Sequence, residues 1–294
     1  MSTRGGQQQG QYGDQQQADE PPRRPKRKSQ KGEEKPLAAP APPPPAETRA
    51  QLVLYVGCEG DSTERDYLEY LNKRFGDGSL RKNQPFHIQP VTDAVKGLTP
   101  AKAVAAVRGK AGGYEAWAMF DRDQHHDIPQ ALKEAAESST EVCFSHPSFE
   151  LWLLLHFQAF SGSQSGRNKI VMEKLRQAHS AYKSFDGRGG KSVKGARRDA
   201  LDKRESKAVE RARSLVGQCE HGSCKANQAK YRPYERGNPP KSTMAWSARS
   251  GHAADCPVLD RDPSTDVWRL LVRLGIVDDP SESYRQASWN SWGA

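Results

Sequence analysis

The sequence predicts an α/β protein whose parallel sheet is covered by helices. Three observations lead there. Gln51-Leu52-Val53-Leu54-Tyr55-Val56-Gly57 is an almost unbroken apolar run, the pattern of a strand buried on both faces. Beyond it, short β-branched or aromatic runs alternate with segments of helical period. Two acidic motifs stand directly after the first and third of those runs, where an open parallel sheet forms its ligand crevice.

In chain order, Ser62 or Thr63 can cap a helix that carries Tyr67, Leu68, Leu71 and Phe75 on one side. Phe86-His87-Ile88-Gln89-Pro90-Val91 predicts the second strand. Thr99-Pro100 opens a helix through Val104 and Val107, with proline suited to the first turn. Ala116 to Phe120 predicts the third strand, Ile128 to Ala136 a helix and Glu141-Val142-Cys143-Phe144 the fourth strand. Ser148 to Phe157 is apolar nearly all round, which predicts a buried helix. Further helices are expected at Ile170 to Tyr182, Arg197 to Val216 and Thr265 to Leu274. Between them, Asp186 to Gly195 and Gly217 to Asp255 are polar and Gly-rich, as loops or insertions are.

The first 49 residues are rich in Gln, Gly, Pro and basic side chains and have almost no large apolar ones, so they are expected to stay disordered. They include the basic cluster Arg23-Arg24-Pro25-Lys26-Arg27-Lys28 and a Pro/Ala linker over Pro36 to Pro45. The expected organisation is a tail over 1–49, an α/β core over 50–160 and a mainly helical extension with a polar insertion over 161–294. The formal charge of +9 biases the protein toward polyanions such as nucleic acid. No run of about 18 apolar residues exists, which argues against a membrane span. The Gln-rich start lacks the apolar stretch of a secretory signal, and five cysteines are a poor disulfide framework. A cytoplasmic protein is expected.

Glu59-Gly60 with Glu64 follows the first strand, and Asp121-Arg122-Asp123 the third. Either motif alone is ordinary: Asp-x-Asp is common in loops, and Glu64 suits a helix N-terminus. Together, after successive parallel strands, they can share a hard cation such as Mg²⁺ or Mn²⁺. Gly60 is read as a sharp backbone turn behind Glu59. Glu150 is the lone ionisable group from Phe149 to Leu155, so it needs a cation, a base or the helix dipole. His156 is read as a buried, satisfied histidine. Arg188, Lys191, Lys194, Arg197 and Arg198, set among glycines, are candidates for nucleic-acid backbone contacts or a solvated basic loop. Cys219-x-His221-x-x-Cys224 and His252-x-x-x-Cys256 offer enough N and S ligands for Zn²⁺, in a spacing that matches no common finger.

Glu59-Gly60-x-x-Thr63-Glu64-x-x-Tyr67, Trp117-x-x-Phe120-Asp121-Arg122-Asp123 and Ser145 to Phe157 resemble three motifs of the RloB-like family. The resemblance runs from about Leu52 to Lys183, with an echo at Pro263 to Val267, and departs at His146, where asparagine is expected. It implies a link to restriction-modification loci and abortive phage infection, often beside an ABC- or AAA-type ATPase partner. The family pattern looks like the Toprim arrangement of topoisomerases, primases and nucleases. That likeness implies Glu59 as general acid/base or metal ligand, with Asp121 and Asp123 binding Mg²⁺. Lys183 resembles a family position after tyrosine that approaches phosphate. The expectation is a metal-dependent nuclease-like effector acting on DNA or RNA, tRNA included, with Glu59, Glu64 and Glu150 as its catalytic carboxylates. The alternative is a non-catalytic subunit that binds an ATPase or nucleic acid.

Overall fold

The computed structural model describes residues 51–79, 84–93, 97–123, 125–163, 167–188, 190–233, 244, 246 and 248–278. The expected tail, with its basic cluster and linker, lies outside the described residues, as does part of the polar insertion.

Among the described residues, five strands form one sheet: β1 Leu52–Cys58, β2 Phe86–Val91, β3 Glu115–Asp121, β4 Glu141–His146 and β5 Ser264–Thr265. Their order is β2-β1-β3-β4-β5, with the first four parallel and β5 antiparallel to β4. The chain steps from β1 outward to β2 and then crosses back to place β3 on the other side of β1. The order reverses between β1 and β3, so the connections that leave their carboxyl ends run to opposite faces of the sheet and open a crevice there.

Side chains alternate across the sheet as the two-residue period requires. Trp117 and Met119 of β3 join Leu54, Val56, Cys58 and Cys143 in one core. Ala118 and Phe120 join Val142 and Phe144 in the other. The first core is covered by α1 Thr63–Phe75, α4 Phe149–Leu155, α5 Lys169–Ala178, α7 Glu205–Gly217 and α8 Val267–Arg273, with α6 Ala196–Asp199 nearby. The second is covered by α2 Pro100–Ala111 and α3 Ile128–Ser138. Gly57 permits the α2 contact: a Cβ there would lie 2.6 Å from the Ala103 carbonyl oxygen.

The four parallel strands and the helices between them stand where the sequence places them, and Tyr67, Leu68, Leu71 and Phe75 are all buried. Three elements differ. The helix expected from Ile170 to Tyr182 ends with α5 at Ala178, where His179 is extended and a short 3-10 turn over Ser180–Tyr182 follows. The expected helix from Arg197 to Val216 is broken between α6 and α7, where Lys203 takes a positive φ of 65°. Tertiary contacts hold the break: Arg74 pairs with Asp202 at 2.6 Å, and the Tyr70 hydroxyl donates to Glu205. The segment read as helix from Thr265 begins with β5, two residues paired to His146 and Ser145. Below β5, Glu141 is fully buried between Arg249 at 2.8 Å and Arg269 at 2.6 Å, so that its charge is paired on both sides.

Candidate active site

β1 and β3 end in register, with Cys58 opposite Met119, so the next residues reach the crevice side by side. The Glu59 N–H donates to the Met119 carbonyl at 3.2 Å, and its own carbonyl accepts from Leu98 N–H at 3.1 Å. The Glu59 carboxylate is therefore carried on a fixed backbone. Its Oε2 accepts the Asp121 N–H at 3.0 Å, and its Oε1 lies 2.7 Å from Nε2 of His125. The crevice is a cavity of about 450 Å³, and Glu59, Glu64, Asp121, Asp123 and Glu150 all line it, together with His125, Asn168 and Lys191.

Gly60 lies between bends at Glu59 and Asp61, in line with the turn expected there. It is absent from the positive-φ glycines, and what it supplies is room: a Cβ would stand 2.6 Å from Oε2 of Glu64. Ser62 sits at the N-cap of α1 without a side-chain cap bond, and Thr63 instead donates to the Lys191 carbonyl at 3.0 Å. Asp66, buried on the same helix, accepts from Ser192 Oγ at 2.7 Å and Val193 N–H at 2.9 Å and pairs with Lys194 at 3.1 Å. These bonds fasten the basic loop across the mouth of the crevice.

That fastening answers what balances Glu150. Its Oε1 is 3.2 Å from Lys191 Nζ, and its Oε2 accepts from Asn168 at 3.0 Å. The Lys191 head remains partly exposed while Glu150 is buried. Burial works against the lysine charge, but Glu150 beside it holds the pKa above the usual lysine value.

Gathering carboxylates has a measurable consequence. Burial, followed by the charges of Glu150 and Glu59, pushes Glu64 up to about 7, against the pull of its own N–H and of Lys191. Asp121 is pushed well above the usual carboxylate range by burial, then by Glu64, Glu150 and Glu59, while the Phe149 N–H pulls it down. A site with this much mutual repulsion favours a bound cation.

Two groupings share the crevice. Donor atoms of Glu59, Asp123 and His125 all lie within 4.8 Å of one another, a set able to hold a metal ion. Asp121 is outside that set, and its carboxyl feels the charges of Glu64, Glu150 and Glu59. His125 went unread in the sequence, although it stands two residues after Asp123 and supplies one of the three donors. Asp123, at a φ of 28°, turns the chain so that both side chains serve one place.

The basic residues divide. Lys183, Arg188 and Lys191 are exposed. Arg197 is buried: it donates to the carbonyls of Gly190 at 2.9 Å and Ser192 at 2.8 Å and stacks on Phe185, so it organises the loop. Arg198 lies against Asp199 at 2.7 Å. His156 is buried with Nδ1 3.0 Å from the Trp152 carbonyl, and burial lowers its pKa to about 4. His146, at the position where asparagine was expected, is buried 3.5 Å from Asp262.

Among the described residues, no helix is long and apolar enough to cross a membrane. No curated protein and no solved structure matches the chain. The family model described as RloB-like protein matches residues 54–274, which takes in most of β1, the whole crevice and α8, and the chain belongs to the RloB-like family.

Proposed function

We propose that the chain is a divalent-cation-dependent hydrolase of nucleic-acid phosphodiesters that acts in antiphage defence. The observation that carries the reading is the convergence of five carboxylates from β1, β3, α1 and α4 on one crevice, at the cost of pKa values raised in Glu64 and Asp121. Like charges gathered around one lysine are costly to a fold, whereas a hard cation takes carboxylate oxygens as its ligands.

The donor set fits the ion. Glu59 and Asp123 offer oxygen, which suits Mg²⁺ and Mn²⁺ alike, and the nitrogen of His125 favours Mn²⁺ of the two. Bound there, the cation supplies positive charge against a phosphodiester oxygen. Glu59 is oriented for it by the Asp121 N–H. Glu64 is the proton-handling group: its pKa near neutrality falls when positive charge enters the crevice, leaving a carboxylate that accepts a proton at neutral pH. Lys191, held by Glu150, and the exposed Lys183 and Arg188 bring positive charge to a polynucleotide backbone. The E-G and D-x-D pattern resembles that of Toprim enzymes, a likeness that agrees with Glu59 and Asp123 at the ion and says nothing of Glu64 or His125, and the association of RloB-like proteins with abortive infection supplies the setting, an ATPase partner included.

The test is to incubate the purified full chain, with and without a co-expressed ATPase partner, with tRNA, plasmid and single-stranded DNA in Mg²⁺ or Mn²⁺. At least one polymer should be cut, and Glu64→Gln should lower the rate by about 10²–10⁴-fold. A chain that binds nucleic acid in every arm and cuts none is a binding subunit.

A further inference from the structure

A second cluster of donors lies in the insertion after α7, away from the carboxylate crevice. Cys219, Cys224, His252 and Cys256 place their donor atoms within 4.8 Å of one another, and the last three are buried. Sγ of Cys219 and Sγ of Cys256 are 3.8 Å apart. Nδ1 of His252 lies 3.3 Å from Sγ of Cys224 and 3.8 Å from Sγ of Cys256. A disulfide holds its sulfurs about 2.05 Å apart, so the cysteines are not bridged. Ligands of a tetrahedral zinc, at about 2.3 Å for sulfur and 2.0 Å for nitrogen, stand about 3.8 Å apart sulfur to sulfur and about 3.5 Å sulfur to nitrogen. The three edges given above, at 3.8, 3.3 and 3.8 Å, lie close to those lengths.

The backbone is shaped for the same end. Gly222, with a φ of 75°, closes the turn between Cys219 and Cys224, its N–H donating to the Cys219 carbonyl at 3.0 Å. Gly251, with a φ of 91°, brings the His252 segment against Lys225, whose N–H donates to the Gly251 carbonyl at 2.7 Å. A Cβ on Gly251 would lie 2.6 Å from the Lys225 carbonyl oxygen. The Ala253 N–H points at Sγ of Cys224 from 3.4 Å, as amides do toward metal thiolates. From Gln218 to Lys225 the sequence has no large apolar side chain with which to hold this turn by packing.

We propose that Cys219, Cys224, His252 through Nδ1, and Cys256 bind one structural zinc ion. Four protein ligands close the coordination shell, so the ion is a fastener and not a catalyst. It ties the turn after α7 to the segment that leads into β5. That segment also carries Arg249, which pairs with Glu141 at the foot of β4. This inference stands apart from the nuclease reading.

The full chain, purified without a His tag or chelator, should contain about one zinc per chain by elemental analysis. An organic mercurial should release it. Cobalt in its place should give the strong visible absorption and thiolate charge-transfer band of a tetrahedral site. Cys224→Ser and Cys256→Ser should lose the metal; Cys58→Ser and the Asp121→Asn, Asp123→Asn double variant should keep it. The wild-type readings stand even where a cysteine variant fails to fold. Reduced wild-type protein that contains no zinc and takes up none would overturn the proposal. So would zinc that survives Cys224→Ser or departs with the two aspartates.

Discussion

Asp121→Asn combined with Asp123→Asn is expected to lower phosphodiester cleavage by about 10³-fold or more, and to leave the metal-free fold as stable as wild type or more so. Asp123 is one of the three donors that can hold the ion, and Asp121 is a carboxyl pushed well above its ordinary range by burial first and then by Glu64, Glu150 and Glu59. An ion in such a site contributes several kcal/mol at the transition state, and each 1.36 kcal/mol is tenfold in rate. Removing the charges removes that contribution. It also relieves repulsion that the metal-free protein has to sustain, which is why stability should not fall with activity. Initial rates and denaturant unfolding in chelator separate the two effects. A double variant that cuts nucleic acid at the wild-type rate and protects cells fully would end the catalytic reading and leave the binding subunit.

The second large effect is on pH. Glu64 moves from an ordinary carboxyl value of 4.5 to about 7 in the fold. Below 4.5 the folded and unfolded chains both hold the proton. Between 4.5 and 7 the unfolded chain releases it while the folded chain retains it, so stability falls as pH rises through this window. Above 7 both have released it, and the loss is complete at about 3 kcal/mol. Chelator-treated wild type should therefore be markedly more stable to urea at mildly acidic pH than at mildly alkaline pH. Glu64→Gln should flatten that slope, and Mn²⁺ should restore stability mainly on the alkaline side. A wild-type slope unchanged by Glu64→Gln would show that the crevice does not strain this carboxyl.

Why the sheet was legible and parts of the site were not follows from the range of the interactions. A strand buried on both faces must be apolar throughout, so β1 announces itself over seven residues. A helix between two such strands shows its period, as α1 does with Tyr67, Leu68, Leu71 and Phe75. The acids after β1 and β3 could be paired because parallel strands fix where their ends meet. By contrast, Glu150 finds Lys191 across 41 residues of sequence, and Thr63 and Asp66 hold the loop that carries it from about 127 residues away. No local pattern encodes such a contact. The break at Lys203 is set by Arg74 and Tyr70, on a different helix, so periodicity read through it. β5 is two residues long, too short for any alternation to register. His125 is different, since Asp121-Arg122-Asp123-x-His125 places a nitrogen donor within four residues of two carboxylates. That spacing was a signal, and weighing imidazole beside the acids would have found it.

The carboxylate crevice as a cation site is the claim on which the rest depends, and manganese binding tests it most directly. Free Mn²⁺ can be followed by its electron paramagnetic resonance signal as the chelator-treated full chain is titrated near neutral pH. The wild type should deplete the signal saturably, as should Cys224→Ser, while Asp121→Asn with Asp123→Asn should leave it unchanged. A wild type that never depletes the signal, or a double variant that depletes it equally, would contradict the account.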